Sequence, residues 1–232
     1  MKVEIWSDVV CPFCYIGKRK FEQALHQFAH QDDVQIEWKS FQLTPDFVPV
    51  PGESIHASLA KKKGVSEAEG RQMGDYMTQA AKEVGLAYDF DKTIPANTFL
   101  AHQLIHFGAH HGQQDATKER LFAAYYLEGQ NLNEVDTLAS LAAEIGLDAA
   151  AARQALLADT YANEVRRDEY EAQQIGVRGV PFFVFDDKYA VSGAQPSAVF
   201  AEVLDKVWAE AHPKTQPAVL AAGPACGPEG CD

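Results

Sequence analysis

Strand patterns in this 232-residue chain are confined to its two ends, and that distribution limits the folds it can adopt. Apolar residues alternate or run briefly at residues 3–6 and 34–41, and again at 180–185 and 189–192. Residues 53–176 carry helical spacing and almost no strand signal. One sheet therefore has to be assembled from both ends of the chain. We expect an α/β fold in which a large all-helical insertion separates the second strand from a C-terminal hairpin.

The helical stretch has recognisable start and stop signals. Ser66 followed by Glu69 has the spacing of a capping box, and Asn97 and Asp148 are predicted N-caps. Predicted C-caps fall at three glycines, and a proline opens the last helix of the chain. These residues are Gly129, Gly146, Gly176 and Pro196.

The same signals predict a domain organisation. Residues 1–45 and 177–212 form the α/β domain, and residues 46–176 form an inserted helical domain. After His212 the composition shifts to Pro, Ala and Gly. We therefore predict that residues 213–232 are a flexible tail, which carries a cysteine pair at its tip.

The charge of the chain argues against one class of partner. Lys and Arg number 20 against 33 Asp and Glu, so the formal net charge is −13. A phosphate backbone is bound by clustered cations that release its counterions, and we therefore expect no nucleic acid. The N-terminus has no signal-peptide pattern, and no segment has the length and apolarity of a membrane span. We expect a cytoplasmic protein without a membrane partner.

Four cysteines at positions 11, 14, 226 and 231 form two close pairs near the chain ends. A stabilising disulfide framework is spread more evenly, and cytoplasmic thiols keep structural disulfides rare. Paired cysteines in this setting indicate catalysis, redox sensing or metal binding. Zinc held by four thiolates is one alternative, although a C-x₄-C pair in a tail has poor zinc-knuckle spacing. We expect no metal and no cofactor.

The pair formed by Cys11 and Cys14 follows a predicted strand directly and opens a predicted helix, which makes the C-x-x-C motif informative. Pro12 suits the first helical turn because its missing N–H would be unsatisfied there. Cys11 would lie at the helix N-terminus, where the macrodipole favours a thiolate. Cys14 falls on the same helix face. We expect Cys11 to be the nucleophile and Cys14 the resolving thiol.

A second element precedes the late hairpin, where Val180 and Pro181 begin the strand pattern. A proline in this position is either at a sheet edge or in a cis peptide bond. The combination with an N-terminal C-x-x-C motif favours the cis peptide bond. The sequence at residues 7–18, 97–102 and 176–183 resembles the thioredoxin fold, and more narrowly the FrnE-like branch of the DsbA family of thiol-disulfide oxidoreductases.

This resemblance, which spans about residues 1–210, implies several site residues. It implies a cis Val180–Pro181 bond that faces Cys11 and offers Val180 backbone groups to an extended substrate. It implies that Glu4 is the buried carboxylate that assists proton transfer to Cys14, although one extra residue separates this acid from the motif. The alternative is a solvent-exposed edge-strand glutamate. His102 is a further site-adjacent candidate through the resemblance of its segment.

Three further features bear on metal binding, on the redox potential and on substrate binding. His102, His106 and His110 have helical spacing that suits either a metal or a polar helix face. An uncharged Phe13 between the cysteines predicts a redox potential between the thioredoxin and DsbA extremes. Protein substrates are expected to bind a hydrophobic groove beside Cys11, and the residues predicted to line it are Trp6, Phe13 and Phe182.

The expected function is a cytoplasmic thiol-disulfide oxidoreductase or protein disulfide isomerase of oxidative-stress metabolism. Its partners would be protein thiols and disulfides, together with glutathione or a thioredoxin system. Cys226 and Cys231 are either an auxiliary redox pair or a dispensable part of the tail. One alternative is a glutathione-dependent isomerase related to 2-hydroxychromene-2-carboxylate isomerase, although those relatives carry serine in place of Cys11. The other is a redox-inactive holdase chaperone.

Overall fold

A computed structural model describes residues 1–213 and, in the tail, the backbone of two short strands. The strands are β1 Lys2–Ser7, β2 Gln35–Ser40, β3 Phe182–Phe185, β4 Tyr189–Ser192, β5 Cys226–Gly227 and β6 Gly230–Cys231. The helices are α1 Pro12–Gln27, α2 Ile55–Lys63, α3 Glu67–Lys82, α4 Phe99–His110, α5 Gln114–Ala123, α6 Val135–Glu144, α7 Ala149–Leu157, α8 Ala162–Gln174 and α9 Ser197–Ala211. A 3₁₀ turn at Gln31–Asp33 and a π-helical turn at Ala124–Glu128 complete the order.

A four-stranded sheet joins the two ends of the chain in the order β2-β1-β3-β4. β1 pairs with β2 in parallel and with β3 antiparallel, so the N-terminal strand is central. β3 and β4 form the predicted hairpin, whose turn places Asp186 and Asp187 at positive φ. The expectation of an α/β fold with the helical stretch between β2 and the hairpin is confirmed.

The alternation along β1 assigns its side chains to the two faces of the sheet. Val3 and Ile5 are fully buried in the main core with α1, which packs on α9. Trp6 lies on the opposite face, against Ala172 of α8 and Val177. We call the first face the dithiol side and the second the back face. Successive side chains of β1 therefore lie alternately on the dithiol side and on the back face.

Most of the predicted helix ends are confirmed. Ser66 and Glu69 form a reciprocal capping box at α3, and the Asp148 side chain accepts the first N–H groups of α7. The Asn97 prediction is wrong by one residue, because Thr98 is the N-cap of α4. The Asn97 Oδ1 atom nevertheless accepts the Phe99 N–H at 3.0 Å, as in an Asx-turn. The three predicted C-cap glycines, Gly129, Gly146 and Gly176, all have positive φ.

The main hydrophobic core links the sheet to the helical stretch. Its buried members include Ile5 of β1, Ile16 of α1, Leu104 of α4 and Leu138 of α6. The division at residues 45/46 and 176/177 stays a prediction. The predicted flexibility of residues 213–232 lies almost wholly outside the described residues, where only the backbone pairing of β5 with β6 is given. No helix in the described part of the chain has the length and apolarity to cross a membrane.

Candidate active site

The two N-terminal cysteines lie where β1 gives way to α1. Cys11 is the N-cap residue in extended conformation, and Pro12 occupies the first helical position, as predicted. The backbone N–H of Cys14 donates to the Cys11 carbonyl at 3.0 Å. Both thiols are free, and they are 5% and 1% exposed respectively. Both cysteines are therefore buried, and Cys11 is the more exposed of the two.

The loop before β3 faces the dithiol. The peptide bond between Val180 and Pro181 is cis, as the resemblance implies. The Cys11 thiol donates to the Val180 carbonyl, with 3.5 Å between the sulfur and the oxygen. Helix α1 reaches this loop through Gly17, where an added Cβ would lie 2.9 Å from Pro181 Cγ. The structure thus brings together four of the predicted residues: Cys11, Cys14, Val180 and Pro181.

The protonation of Cys11 differs from the sequence expectation of a thiolate favoured by the helix N-terminus. The hydrogen bond with the Cys14 side chain and burial both raise the pKa of the Cys11 thiol well above its ordinary value. The Cys14 backbone N–H opposes this shift but does not reverse it. Since the two sulfurs are adjacent, a negative charge on one disfavours a second negative charge on the other. Cys11 in this structure is a buried thiol that donates a hydrogen bond.

A buried polar cluster lies behind the dithiol, formed by Asp8, His102 and Lys118; we call it the dithiol-side cluster. Asp8 Oδ1 lies 3.3 Å from His102 Nε2, and Asp8 Oδ2 accepts the Leu43 N–H at 2.8 Å. Burial by itself would raise the pKa of Asp8, but its hydrogen bonds hold that pKa below the ordinary value. Burial lowers the pKa of His102 despite the bond to Asp8. The pair is therefore an aspartate with a neutral histidine. His102 contacts Asp8, three residues before Cys11, and its role beside the site stays a prediction.

Glu4 does not lie with this cluster. Its neighbours in β1 show that it points to the back face, together with Trp6. It is 8% exposed and pairs with Lys2 at 2.8 Å and with Lys39 at 3.5 Å. The structure therefore does not bring the Glu4 carboxylate together with Cys14. The alternative of an exposed edge-strand glutamate is wrong as well, because β1 is a central strand and this carboxylate is ion-paired.

A second buried polar cluster occupies the back face, formed by Lys39, His106 and Asp168; we call it the back-face cluster. Asp168 Oδ2 accepts the Ser40 N–H at 2.8 Å and lies 3.0 Å from His106 Nε2. Lys39 Nζ lies 3.4 Å from Asp168 Oδ1. The hydrogen bonds from His106 and Ser40 outweigh burial and lower the pKa of Asp168. The cluster connects β2, α4 and α8 and lies away from the cysteines.

The three histidines of α4 do not form a common polar face towards solvent. His102 and His106 are buried in different clusters, and His110 is exposed and pairs with Glu164 at 3.1 Å. The alternative of an exposed polar helix face is therefore wrong for two of them. Within residues 1–213, no group of three metal-ligating side chains could hold an ion.

An apolar groove of about 780 Å³ lies beside Cys11, between α1, α2 and α3. Phe13 lines it and is 36% exposed, as expected. The prediction for Trp6 and Phe182 is wrong, because both line a separate cavity on the back face with Glu4 and Lys39. The groove is lined instead by residues that precede or belong to the helical insertion. Its apolar members besides Phe13 are Val10, Leu43, Leu59, Met73, Tyr76 and Met77.

Two residues of the site were missed by sequence reasoning. Lys118 is fully buried on α5, and Tyr88 donates its hydroxyl to the Pro12 carbonyl at 2.8 Å. The signal for Lys118 was its spacing, since Leu121 and Phe122 lie three and four residues further on the same helix face. A lysine within an apolar stripe is a candidate for a buried cation. Tyr88 lies in a loop and has no comparable sequence signal.

The site combines a dithiol at a strand-to-helix junction with a cis-proline loop that faces it, and both belong to a fold with a four-stranded sheet. This combination defines a thioredoxin-fold protein. The sequence profile of the DSBA-like thioredoxin domain matches residues 2–205, and the chain belongs to that family. Members of this family are generally oxidoreductases or isomerases.

The chain is similar to several known proteins. The probable DsbA oxidoreductase SCO1869 from Streptomyces coelicolor is 39% identical, with a TM-score of 0.84 over 100% of this chain and 98% of that one. The uncharacterized protein YwbO of Bacillus subtilis is 30% identical over 205 residues, 87% of this chain and 94% of YwbO. The cytosolic disulfide reductase DsbM from Pseudomonas aeruginosa with GSH shares the fold at 16% identity and TM-score 0.61, over 90% of this chain and all of DsbM.

Proposed function

We propose that this chain is a FrnE-like thiol-disulfide oxidoreductase and protein disulfide isomerase that acts through Cys11 and Cys14. The observation that carries the proposal is the Cys11 thiol, which donates to the Val180 carbonyl beside Pro181 while Cys14 is the more deeply buried thiol. A substrate strand that binds the backbone of Val180 would place its sulfur at Cys11. Phe13, at the rim, would contact the substrate side chains.

The reaction is two successive thiol-disulfide exchanges. The Cys11 sulfur loses its proton and attacks one sulfur of a substrate disulfide; a mixed disulfide forms and the other substrate sulfur leaves as a thiolate. Cys14 then attacks Cys11, the Cys11–Cys14 disulfide forms, and the second substrate sulfur leaves and is protonated. The substrate gains two electrons and the dithiol loses them. Isomerisation needs only the first exchange and its reversal at a different substrate cysteine.

The groove beside Cys11 supports protein substrates. Tyr76 is 67% exposed and Leu43 is 38% exposed, so the groove keeps apolar surface in solvent. Met73 and Met77 add flexible thioether chains, which adapt to different apolar partners. A cystine in a partly folded protein is flanked by exposed apolar segments, which this groove would bind. Small disulfides would use the Val180 loop without the groove.

We further propose a cytoplasmic role in oxidative stress, as reductase or isomerase, with electrons from glutathione or a thioredoxin system. The raised pKa of Cys11 supports this direction, because a poorly stabilised thiolate makes the disulfide a weak oxidant. The backbone of the tail places Cys226 opposite Cys231 in a two-strand ladder, which suits an auxiliary redox pair.

The test is reduction of insulin and reactivation of scrambled ribonuclease with glutathione as reductant, using wild type, Cys11→Ser and Cys14→Ser. We expect Cys11→Ser to lose both activities and Cys14→Ser to accumulate a mixed disulfide with insulin. Cys11→Ser that still reduces insulin would contradict the proposal. Suppression of aggregation without any exchange in wild type would favour the holdase.

Two further variants test the groove and the tail in the same assay. Tyr76→Ser is expected to raise KM for insulin several-fold and to change KM for glutathione disulfide little. Tyr170→Ser is the matched control, because Tyr170 is 60% exposed on α8 and does not line the groove. The double variant Cys226→Ser/Cys231→Ser should slow turnover with reductant, and unaltered kinetics would remove the auxiliary role.

A further inference from the structure

Three consecutive lysines, Lys61, Lys62 and Lys63, end helix α2. All three are exposed, and within residues 1–213 none has a carboxylate oxygen within 4 Å. The negative end of the helix dipole favours cations at this point and accounts for all three equally. It does not account for a difference between them: Lys62 and Lys63 line the apolar groove beside Cys11, and Lys61 does not.

The charged lining of this groove is unbalanced. Glu69 is its carboxylate, and its Oε2 atom accepts the Ser66 N–H at 2.8 Å and the Ser66 hydroxyl at 2.6 Å. This carboxylate is thereby engaged in the capping box of α3. Lys62 Nζ donates to the uncharged Thr44 hydroxyl at 2.5 Å. Two cations against one engaged carboxylate make the lining positive, on a chain whose net charge is −13.

The two lysines share the groove with the reactive sulfur and with apolar side chains. Cys11 lines it, and so do Leu59, Met73 and Tyr76. At physiological ionic strength, exposed charges more than about 8 Å apart are largely screened from each other. The potential met by a bound segment is therefore set by the lysines of the groove, and the acidic surface elsewhere contributes little. The partner that matches this lining combines a cysteine, apolar side chains and a carboxylate.

We propose that Lys62 and Lys63 are specificity-determining residues, which select polypeptide segments that carry an acidic side chain close to the cysteine that reacts. This inference rests on the proposed function. The apolar side chains of the segment pack in the groove, and its carboxylate pairs with the two ammonium groups. Complementary charges at an interface act on partner choice and association rate. The exchange chemistry at Cys11 is the same for every substrate.

The test is a single-turnover reaction of the reduced full-length protein with two synthetic peptides. Each peptide is closed by one disulfide, and the two differ only in carrying two Glu or two Lys residues next to a cysteine. The quantity compared is the ratio of second-order rate constants, Glu peptide over Lys peptide. Comparing this ratio between protein variants cancels the effect of the peptide charges on the reactivity of their own disulfide.

Lys62→Glu/Lys63→Glu should lower this ratio roughly tenfold relative to wild type, as expected when two exposed charge pairs change sign. Lys61→Glu is the matched control, because it reverses a charge on the same turn of α2 outside the groove, and it should leave the ratio within about twofold of wild type. Glutathione disulfide, which would use the Val180 loop without the groove, should react at a similar rate with all three proteins.

Salt provides a measurement that a structural role of the lysines would not change. The wild-type ratio should fall as NaCl is raised from about 0.05 M to about 0.5 M, because salt screens exposed charges. If the double variant fails to fold, a wild-type ratio that does not depend on salt would overturn the inference.

Three results with folded variants would also overturn it. They are an unchanged ratio in Lys62→Glu/Lys63→Glu, an equal fall in Lys61→Glu, and a fall in the glutathione disulfide rate as large as that for the Glu peptide. The last result would show that the lysines bind the carboxylates of glutathione instead of a polypeptide. A wild type that reduces neither peptide nor insulin would instead refute the proposed function.

Discussion

The two buried polar clusters of this protein contain the same residue types. Each combines an aspartate, a lysine and a histidine of α4, and the two histidines are one turn apart. In the back-face cluster, Lys39 has four carboxylates within 4 Å. In the dithiol-side cluster, Lys118 has none within that distance among the described residues, and its Nζ donates to the Ser7 carbonyl. The difference is direct contact: the back-face cluster is closed by ion pairs, whereas in the dithiol-side cluster Asp8 is bound by His102 and the Leu43 N–H and not by the lysine.

This difference predicts that the two clusters contribute differently to stability. A closed cluster fixes helices against a sheet because each group would be costly without its partner. Within residues 1–213, the dithiol-side cluster lacks direct contact between its lysine and a carboxylate, so the loss of one group leaves fewer partners unpaired. Two substitutions and a change of pH test this contrast.

The largest effect is expected for Asp168→Ala in the back-face cluster. The change removes the carboxylate that His106 Nε2 and the Ser40 N–H contact, and it removes one anion from Lys39. We expect the free energy of unfolding to fall by about 3 kcal/mol, with unchanged exchange activity per folded molecule. Urea denaturation and insulin reduction measure the two quantities. Asp136→Ala, at a highly exposed residue, is the control and should cost under about 0.5 kcal/mol.

A smaller effect is expected from acidification through the dithiol-side cluster. The folded pKa of His102 lies below its ordinary value of 6.5, so the unfolded chain binds this proton first. The stability that this residue contributes is present above pH 6.5 and is lost as the pH falls below it. Asp8 acts in the same direction, but only below its ordinary value of 3.8.

Unfolding free energies between pH 7.5 and 5 test this, with His102→Gln compared with His110→Gln. The loss on acidification should shrink in His102→Gln and persist in His110→Gln, whose side chain is half-exposed. An identical pH slope in both variants would show that His102 is not the group that titrates. Only the slope is compared, because either substitution can change stability at all pH values.

The smallest effect is expected for Glu4→Gln. Lys39 keeps three other carboxylates, and the amide can still accept a hydrogen bond from Lys2. We expect a loss of under about 1 kcal/mol and no change in the rate of disulfide exchange. A several-fold slower resolving step would instead restore Glu4 as the proton relay that the family resemblance implies, and would weaken the contrast between the two clusters.

Local rules predicted the parts of the fold that depend on short-range chemistry. The strand-to-helix junction at Cys11, the Asp186–Asp187 turn and the Ser66 capping box each require only neighbouring residues. The strand periodicity also determines where two of the predicted site residues lie. Glu4 and Trp6 share the face opposite to Ile5, so neither can line a site against α1.

The groove and Lys118 required long-range information. The groove depends on how α2 and α3 pack beside α1, and helices at the surface of an insertion carry no sequence signal for their neighbours. The environment of Lys118 depends on α5 lying against Trp38 of β2, about eighty residues earlier in the chain. Spacing predicts that a lysine faces the core; only the tertiary structure shows that no carboxylate meets it.

The contact between Gly17 and Pro181 constrains how this site can diversify. The missing side chain lets α1 approach the loop that faces Cys11, since a Cβ would lie 2.9 Å from the proline ring. A larger residue at position 17 has to be accommodated by a shift of that loop, and the shift would move the Val180 carbonyl relative to the reactive sulfur. Gly17 thus sets the spacing between α1 and the Val180 loop, although it does not line the groove. Variation in specificity is expected to arise in the groove, where side chains can change without moving the backbone.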